Sequence, residues 1–120
     1  MKEMKMGVIE SRFADMIWQN EPIATSELIR LCAEEFNWKR TTTYTVLKRL
    51  SERGIFQNNH GTVTSLISRN EFYSLQTEKF VEETFQGSLP AFLAAFTARK
   101  ELTAEEVAEL RRFIDSYQEG

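Results

Sequence analysis

The fold is decided by residues 41–54, whose sequence is TTTYTVLKRLSERG. Within this stretch, apolar residues recur at the spacing of one helix face: Val46, Leu47 and Leu50. We therefore predict a helix from about Thr41 to Arg53. Gly54 follows as a natural left-handed cap, because glycine adopts a positive φ without steric cost. The outer face of this helix then presents hydroxyl groups and cations.

Two helical patterns precede it. Apolar residues at helical spacing predict a first helix over residues 8–20, which is ended by the proline of Asn20-Glu21-Pro22. A second apolar stripe predicts another helix, with Thr25 or Ser26 as its N-cap. Its cysteine, Cys32, is expected to be a small buried side chain.

A β-hairpin is predicted after Gly54. Short β-like runs at Ile55–Gln57 and Thr62–Ile67 flank Asn58-Asn59-His60-Gly61, which is rich in turn-forming residues. Three helices followed by a hairpin are the order of a winged helix-turn-helix domain, which we assign to residues 1–68.

Residues 69–120 contain three further helical patterns. The first spans about Arg69 to Phe85, Ser88 caps the second, and a capping box at Thr103-Ala104-Glu105-Glu106 begins the third. The predicted fold class is therefore mainly α with a small β-hairpin. A winged helix-turn-helix domain is followed by a C-terminal helical dimerisation segment.

Aromatic residues are concentrated in the C-terminal segment, which contains six of the nine phenylalanines. Three helices of this length cannot easily bury them, and a large exposed apolar patch favours association. We expect a homodimer, with packing against the winged domain as the alternative. The expected interface residues are Phe72, Phe80, Phe85, Leu89, Phe92, Phe96, Leu110, Phe113 and Ile114.

The net charge is −3, but the charges are unevenly distributed. Basic residues crowd residues 39–53 beside a single acid, Glu52, whereas acids gather in the second half of the chain. A helix with exposed cations and short polar groups suits the major groove of DNA, and the run of threonines at 41–43 and 45 favours a contact surface over ordinary helix surface. The expected DNA-binding residues are Lys39, Arg40, Thr41, Thr42, Tyr44, Thr45, Lys48, Arg49 and, at the hairpin tip, His60.

Other classes of protein are disfavoured by what the sequence lacks. One cysteine and one histidine supply neither a disulfide nor a structural zinc site, and we expect no cofactor. No phosphate-binding loop or nucleophile motif is present, so we expect no enzyme. No apolar stretch is long enough to cross a membrane and no signal peptide is evident, so we expect a cytoplasmic protein without membrane insertion.

The sequence resembles the penicillinase repressor family over nearly its whole length. Glu10 followed by Met16-Ile17-Trp18 is similar to the first helix of that family, and residues 42–50 with Gly54 are similar to its recognition helix. Residues 85–89, together with 102–111, resemble its dimerisation segment.

The resemblance implies a homodimeric repressor of resistance genes that binds a palindromic operator in double-stranded DNA. In the β-lactam-responsive branch, a membrane sensor protease system triggers cleavage of the repressor, and Ala95-Phe96 matches the cleaved pair. Ala95 stands where the best-known members have asparagine. Residues 115–120 contain no cysteine, so the resemblance does not extend to the metal motif of the copper-responsive branch.

Two other interpretations remain open at this point. Winged helices also serve as docking modules for proteins, and the net charge of −3 suits that role. A regulator that senses a small molecule would need a pocket between the C-terminal helices, although abundant aromatic residues there more often form a core.

Overall fold

The computed structural model describes residues 6–119, with side chains through Tyr117. Within that range the chain forms six helices and a small antiparallel sheet. In chain order they are α1 (Val8–Asn20), β1 (Ile23–Ala24), α2 (Thr25–Phe36), α3 (Arg40–Glu52), β2 (Phe56–Asn59), β3 (Thr62–Ser65), α4 (Arg69–Phe85), α5 (Leu89–Arg99) and α6 (Ala104–Glu119). The predicted mainly helical fold with a winged helix is confirmed.

The hairpin of the wing is tighter than the sequence predicted. Its strands extend through Asn59 and begin again at Thr62, so that only His60 and Gly61 form the loop. Both loop residues have positive φ, 53° and 92°, as two-residue hairpin loops of type I′ require. The expected four-residue turn was therefore too long.

A third strand, β1, joins the sheet in the order β1-β3-β2, which the sequence did not predict. Ile23 pairs with Val63 and Ala24 with Thr62. This pairing also changes how α2 begins. Its N-cap is Ala24 without a side-chain hydrogen bond, and the amide of Thr25 donates instead to the carbonyl of Gly61 at 2.9 Å. The expected cap by Thr25 or Ser26 was therefore wrong, because the wing supplies the acceptor.

The core of the first compact unit, which extends through Thr77, lies between α1, α2, α3, the sheet and the start of α4. The side chains of Val46, Leu47 and Leu50 are buried there as predicted, and Cys32 is fully buried. The core side chains are Phe13, Ala14, Ile17, Ile23, Leu28, Cys32, Val46, Leu47, Leu50, Ile55, Phe56, Val63 and Phe72. The apolar faces of α1, α2 and α3, formed by residues that recur at helical spacing, thus pack against the same small sheet.

Phe72 belongs to this core, although the sequence placed it among the interface residues. It is fully buried, and its ring lies 5.9 Å from that of Trp18. The indole nitrogen of Trp18 donates to the carbonyl of Ile67 at 3.0 Å and so holds the chain just before α4. Phe72 therefore packs in the core of its own protomer rather than on the exposed surface where the sequence placed it.

The second compact unit begins at Glu78 and contains the end of α4 with α5 and α6. The predicted caps are present: the hydroxyl of Ser88 accepts from the amide of Ala91, and Thr103 and Glu106 accept from each other's backbone amides at 2.9 and 3.0 Å. Among residues 6–119, no helix combines the length and apolar character needed to span a membrane.

Candidate nucleic-acid interface

The outer face of α3 is a continuous polar surface. Thr41, Thr45 and Lys48 are exposed at successive turns, because residues three or four apart lie on one side of a helix. Beside them, Thr42 and Tyr44 are partly exposed. A rigid helix packed on the core therefore displays nearly the set of side chains that the sequence predicted.

The threonines of α3 differ in their exposure to solvent, although they are neighbours in the sequence. Thr43 is 1% exposed, with its hydroxyl 3.4 Å from the carbonyl of Lys39, so it belongs to the core side of the helix. The expectation that all four threonines form one contact surface was wrong for this residue. Thr45 is exposed and its hydroxyl donates to the carbonyl of Thr41 at 2.9 Å. Thr45 consequently offers a partner an oxygen acceptor and a methyl group.

Two cations mark the beginning of α3. Lys39 is the N-cap and Arg40 the first helical residue, both exposed, and the first turn contains no acidic residue. The guanidinium of Arg40 lies over the ring of Tyr44, 5.5 Å from its centroid. Cations at the positive end of a helix dipole disfavour the helix by roughly 0.3–1 kcal/mol. An anion bound at this end would remove that disadvantage.

The arginines near the end of α3 meet an acid from α1. A carboxylate oxygen of Glu10 lies 2.6 Å from a guanidinium nitrogen of Arg49, and the other lies 4.0 Å from one of Arg53. Partial burial alone would raise the pKa of Glu10, but the hydrogen bonds from Arg49 and the amide of Gly7, with the charge of Arg53, outweigh it and lower the pKa. Glu10 is thus held as a carboxylate beside Arg49 and Arg53, and we call the outer face of α3 with these two arginines, Lys39, Arg40 and Lys48 its basic surface.

A shallow groove of about 270 Å³ separates α3 from the wing. Tyr44, Lys48 and Asn58 share its lining. Asn58 was predicted only as a turn residue, and its placement beside Lys48 follows from the hairpin folding back on α3. His60 is exposed at the hairpin tip.

The structure therefore places eight predicted residues on or next to α3 and one at the tip of the wing. Sequence reasoning missed Glu10 and Asn58. For Glu10 the local signal is only that of a helix N-terminus, where its carboxylate accepts from the amide of Gly7 at 3.3 Å. Its proximity to Arg49 depends on how α1 packs against α3. Within the described part of the chain, no three His, Cys, Asp or Glu side chains are close enough together to hold a metal ion.

Comparison with known families decides the relationship of this chain. The model of the family described as penicillinase repressor matches residues 6–116. The chain belongs to the penicillinase repressor family. It is similar to the penicillinase repressor of Bacillus licheniformis, with 26% identity over 107 residues that cover 85% of this chain and 83% of the relative. The resemblance inferred from the residues is confirmed.

Penicillinase repressors are transcriptional repressors rather than enzymes, so membership supports a role in repression of transcription. The match extends from the residues before α1 into α6. It therefore includes both the basic surface of α3 and the phenylalanine-rich helices of the second unit.

Proposed function

We propose that this chain is a cytoplasmic repressor that binds a palindromic operator in double-stranded DNA as a homodimer, with α3 in the major groove. The observation that carries the proposal is the surface of α3, where exposed cations and hydroxyls project from a helix anchored by Val46, Leu47 and Leu50. Such a helix fits the width of the major groove.

The side chains of α3 divide into two roles. Thr42, Thr45 and Arg49 lie along one stripe and are assigned to base edges, since threonine offers an acceptor and a methyl group and arginine matches the two acceptors of guanine. The residues assigned to phosphates and sugars are Lys39, Arg40, Thr41, Tyr44, Lys48 and His60. Phosphate contacts position a protein on any duplex, whereas base contacts select the sequence.

The second unit supports the homodimer. Among its described side chains none is fully buried, although it contains a cluster of aromatic rings. Phe92 lies 5.8 Å from Phe85, 6.2 Å from Phe80 and 6.3 Å from Phe96. Other large apolar side chains point to solvent, including Leu89 and Ile114, and Leu110 is half-buried. A two-fold dimer would cover this surface and repeat α3 for the two halves of a palindrome.

Proteolytic release of repression is part of the proposal, by analogy with the β-lactam-responsive branch. The bond between Ala95 and Phe96 lies inside α5, and both residues are exposed. A helical peptide bond must open locally before a protease can bind it. Cleavage there would divide the proposed interface and so lower operator occupancy.

The test is a fluorescence anisotropy titration of the duplex upstream of the chain's own gene, at several salt concentrations, against a scrambled duplex. We expect tight binding to the first duplex at two chains per palindrome, weakening steeply with salt. The variant Thr45→Ala/Arg49→Ala is expected to lose the preference for the promoter duplex over the scrambled duplex. Arg30→Ala is the matched control, because Arg30 is exposed on α2 and pairs within its own helix with Glu34.

Each outcome decides between interpretations. Preference for the promoter duplex that depends on Thr45 and Arg49 supports the repressor. Binding that is absent at low salt contradicts DNA recognition and favours a protein-docking module. Equal binding of both duplexes, unchanged in the double variant, contradicts the assignment of α3 as the recognition helix.

A further inference from the structure

Glu10 is an acid placed against the basic surface of α3. It belongs to α1 and lies 39 residues from Arg49 in the sequence, yet its carboxylate accepts a hydrogen bond from Arg49 at 2.6 Å. The side chain of Glu10 is only 19% exposed, whereas that of Arg49 is 48% exposed. The carboxylate is therefore the more buried partner of this ion pair, and the guanidinium group is the more accessible one.

This contact has two physical consequences for Arg49. A guanidinium has five N–H donors in a rigid plane, so a hydrogen bond to one nitrogen restricts the plane and leaves other donors available to a partner. The negative charge of Glu10 also reduces the attraction that Arg49, and Arg53 at 4.0 Å, exert on a phosphate.

Building on the proposed DNA binding, we propose that Glu10 is a positioning residue that determines specificity. It holds the guanidinium of Arg49 in the orientation that the operator requires and prevents Arg49 and Arg53 from binding phosphates of any sequence. Operator affinity is kept by the orientation, while affinity for other DNA is lowered by the charge. The ratio of the two affinities thus depends on Glu10.

Glu10→Gln tests this role directly. Glutamine replaces glutamate in capping boxes, so the hydrogen bond from the amide of Gly7 can persist while the charge is removed. One additional phosphate contact by Arg49, once the carboxylate charge is removed, steepens the dependence of log K on log salt by about 0.9, which at 0.1 M salt corresponds to roughly eightfold tighter binding of unrelated DNA. We therefore expect about an eightfold loss of the operator-to-scrambled ratio, on the basis of that slope.

Asp15→Asn is the matched control. Asp15 is also on α1 and pairs with Arg69 at 2.7 Å, so the variant removes the same charge and one ion pair without affecting α3. Its ratio and salt slope are expected to equal those of the wild type. Glu10→Asp, which retains the charge, is expected to retain the wild-type slope. Thermal unfolding of each variant establishes that the folded protein is compared.

A double-mutant cycle shows whether Glu10 acts through arginine. In an Arg49→Gln background, Glu10→Gln is expected to have a much smaller effect on the ratio, because the main partner is already gone. If the wild-type protein binds its operator and the Glu10→Gln variant has the same operator-to-scrambled ratio and the same salt slope, this inference alone is overturned. Failure of the wild type to bind any duplex would instead overturn the proposed function.

Discussion

Phe113→Ala is expected to weaken self-association strongly. Phe113 lies on α6, where it is 58% exposed and contacts Tyr117 at a ring distance of 5.2 Å. A phenylalanine has about 200 Å² of surface, so about 100 Å² is available to a partner. At about 25 cal/mol per Å², full burial contributes roughly 2.5 kcal/mol per side chain and roughly 5 kcal/mol in a two-fold dimer.

These values set the size of the effect. The dimer dissociation constant should rise by about 70-fold if half of that area is buried in the dimer and by about 5,000-fold if all of it is buried. Folding of the protomer should change little, because most of this side chain is already in contact with water. Sedimentation equilibrium over a wide concentration range measures the constant directly.

Leu66→Ala is the matched control for this measurement. Leu66 is 54% exposed, but it belongs to the first compact unit. Its removal should leave the dissociation constant unchanged. A Phe113→Ala protein that dimerises as tightly as the wild type would refute the assignment of Phe113 to the interface. A wild type that stays monomeric at every accessible concentration would refute the dimer itself.

Three further predictions concern single residues. Gly54→Ala should lower the free energy of unfolding in urea by roughly 1–2 kcal/mol, because Gly54 has φ +82°, a left-handed conformation that a Cβ atom disfavours. An added Cβ would meet no neighbouring atom, so the backbone conformation alone sets this cost, and equal stability would contradict the prediction. Burial raises the pKa of the Cys32 thiol to about 11, with a smaller opposing effect from Thr43, so the thiol should be inert to Ellman's reagent at pH 8 until the protein is denatured. The pKa of Glu10 is lowered from 4.5 in the folded protein, so ionised Glu10 stabilises the fold fully above about pH 4.5, and this stabilisation is lost as the pH falls through the pKa of the folded state. Glu10→Gln should therefore reduce the dependence of the free energy of unfolding on pH in the acid range. Identical pH dependence in the wild type and the variant would argue against the ion pair.

Local sequence signals predicted most helix bounds. The first helix, Val8–Asn20, and the fourth, Arg69–Phe85, were predicted with these limits, and Gly54 adopts the expected positive φ. Apolar periodicity, proline and capping residues act over a few residues, so the sequence displays them directly. The two-residue strand β1 has too few residues for any alternating pattern. Its existence depends on pairing with β3.

For the candidate interface, the sequence by itself determined the chemistry of α3: a helix with threonines and cations on its outer side and leucine and valine on its inner side. Only the tertiary structure decided that Thr43 and Phe72 are buried, and that Glu10 meets Arg49. The physical reason is range. Helix formation and capping involve neighbouring residues, whereas burial and ion pairing depend on which distant surfaces pack together, and that packing is chosen by the whole core at once.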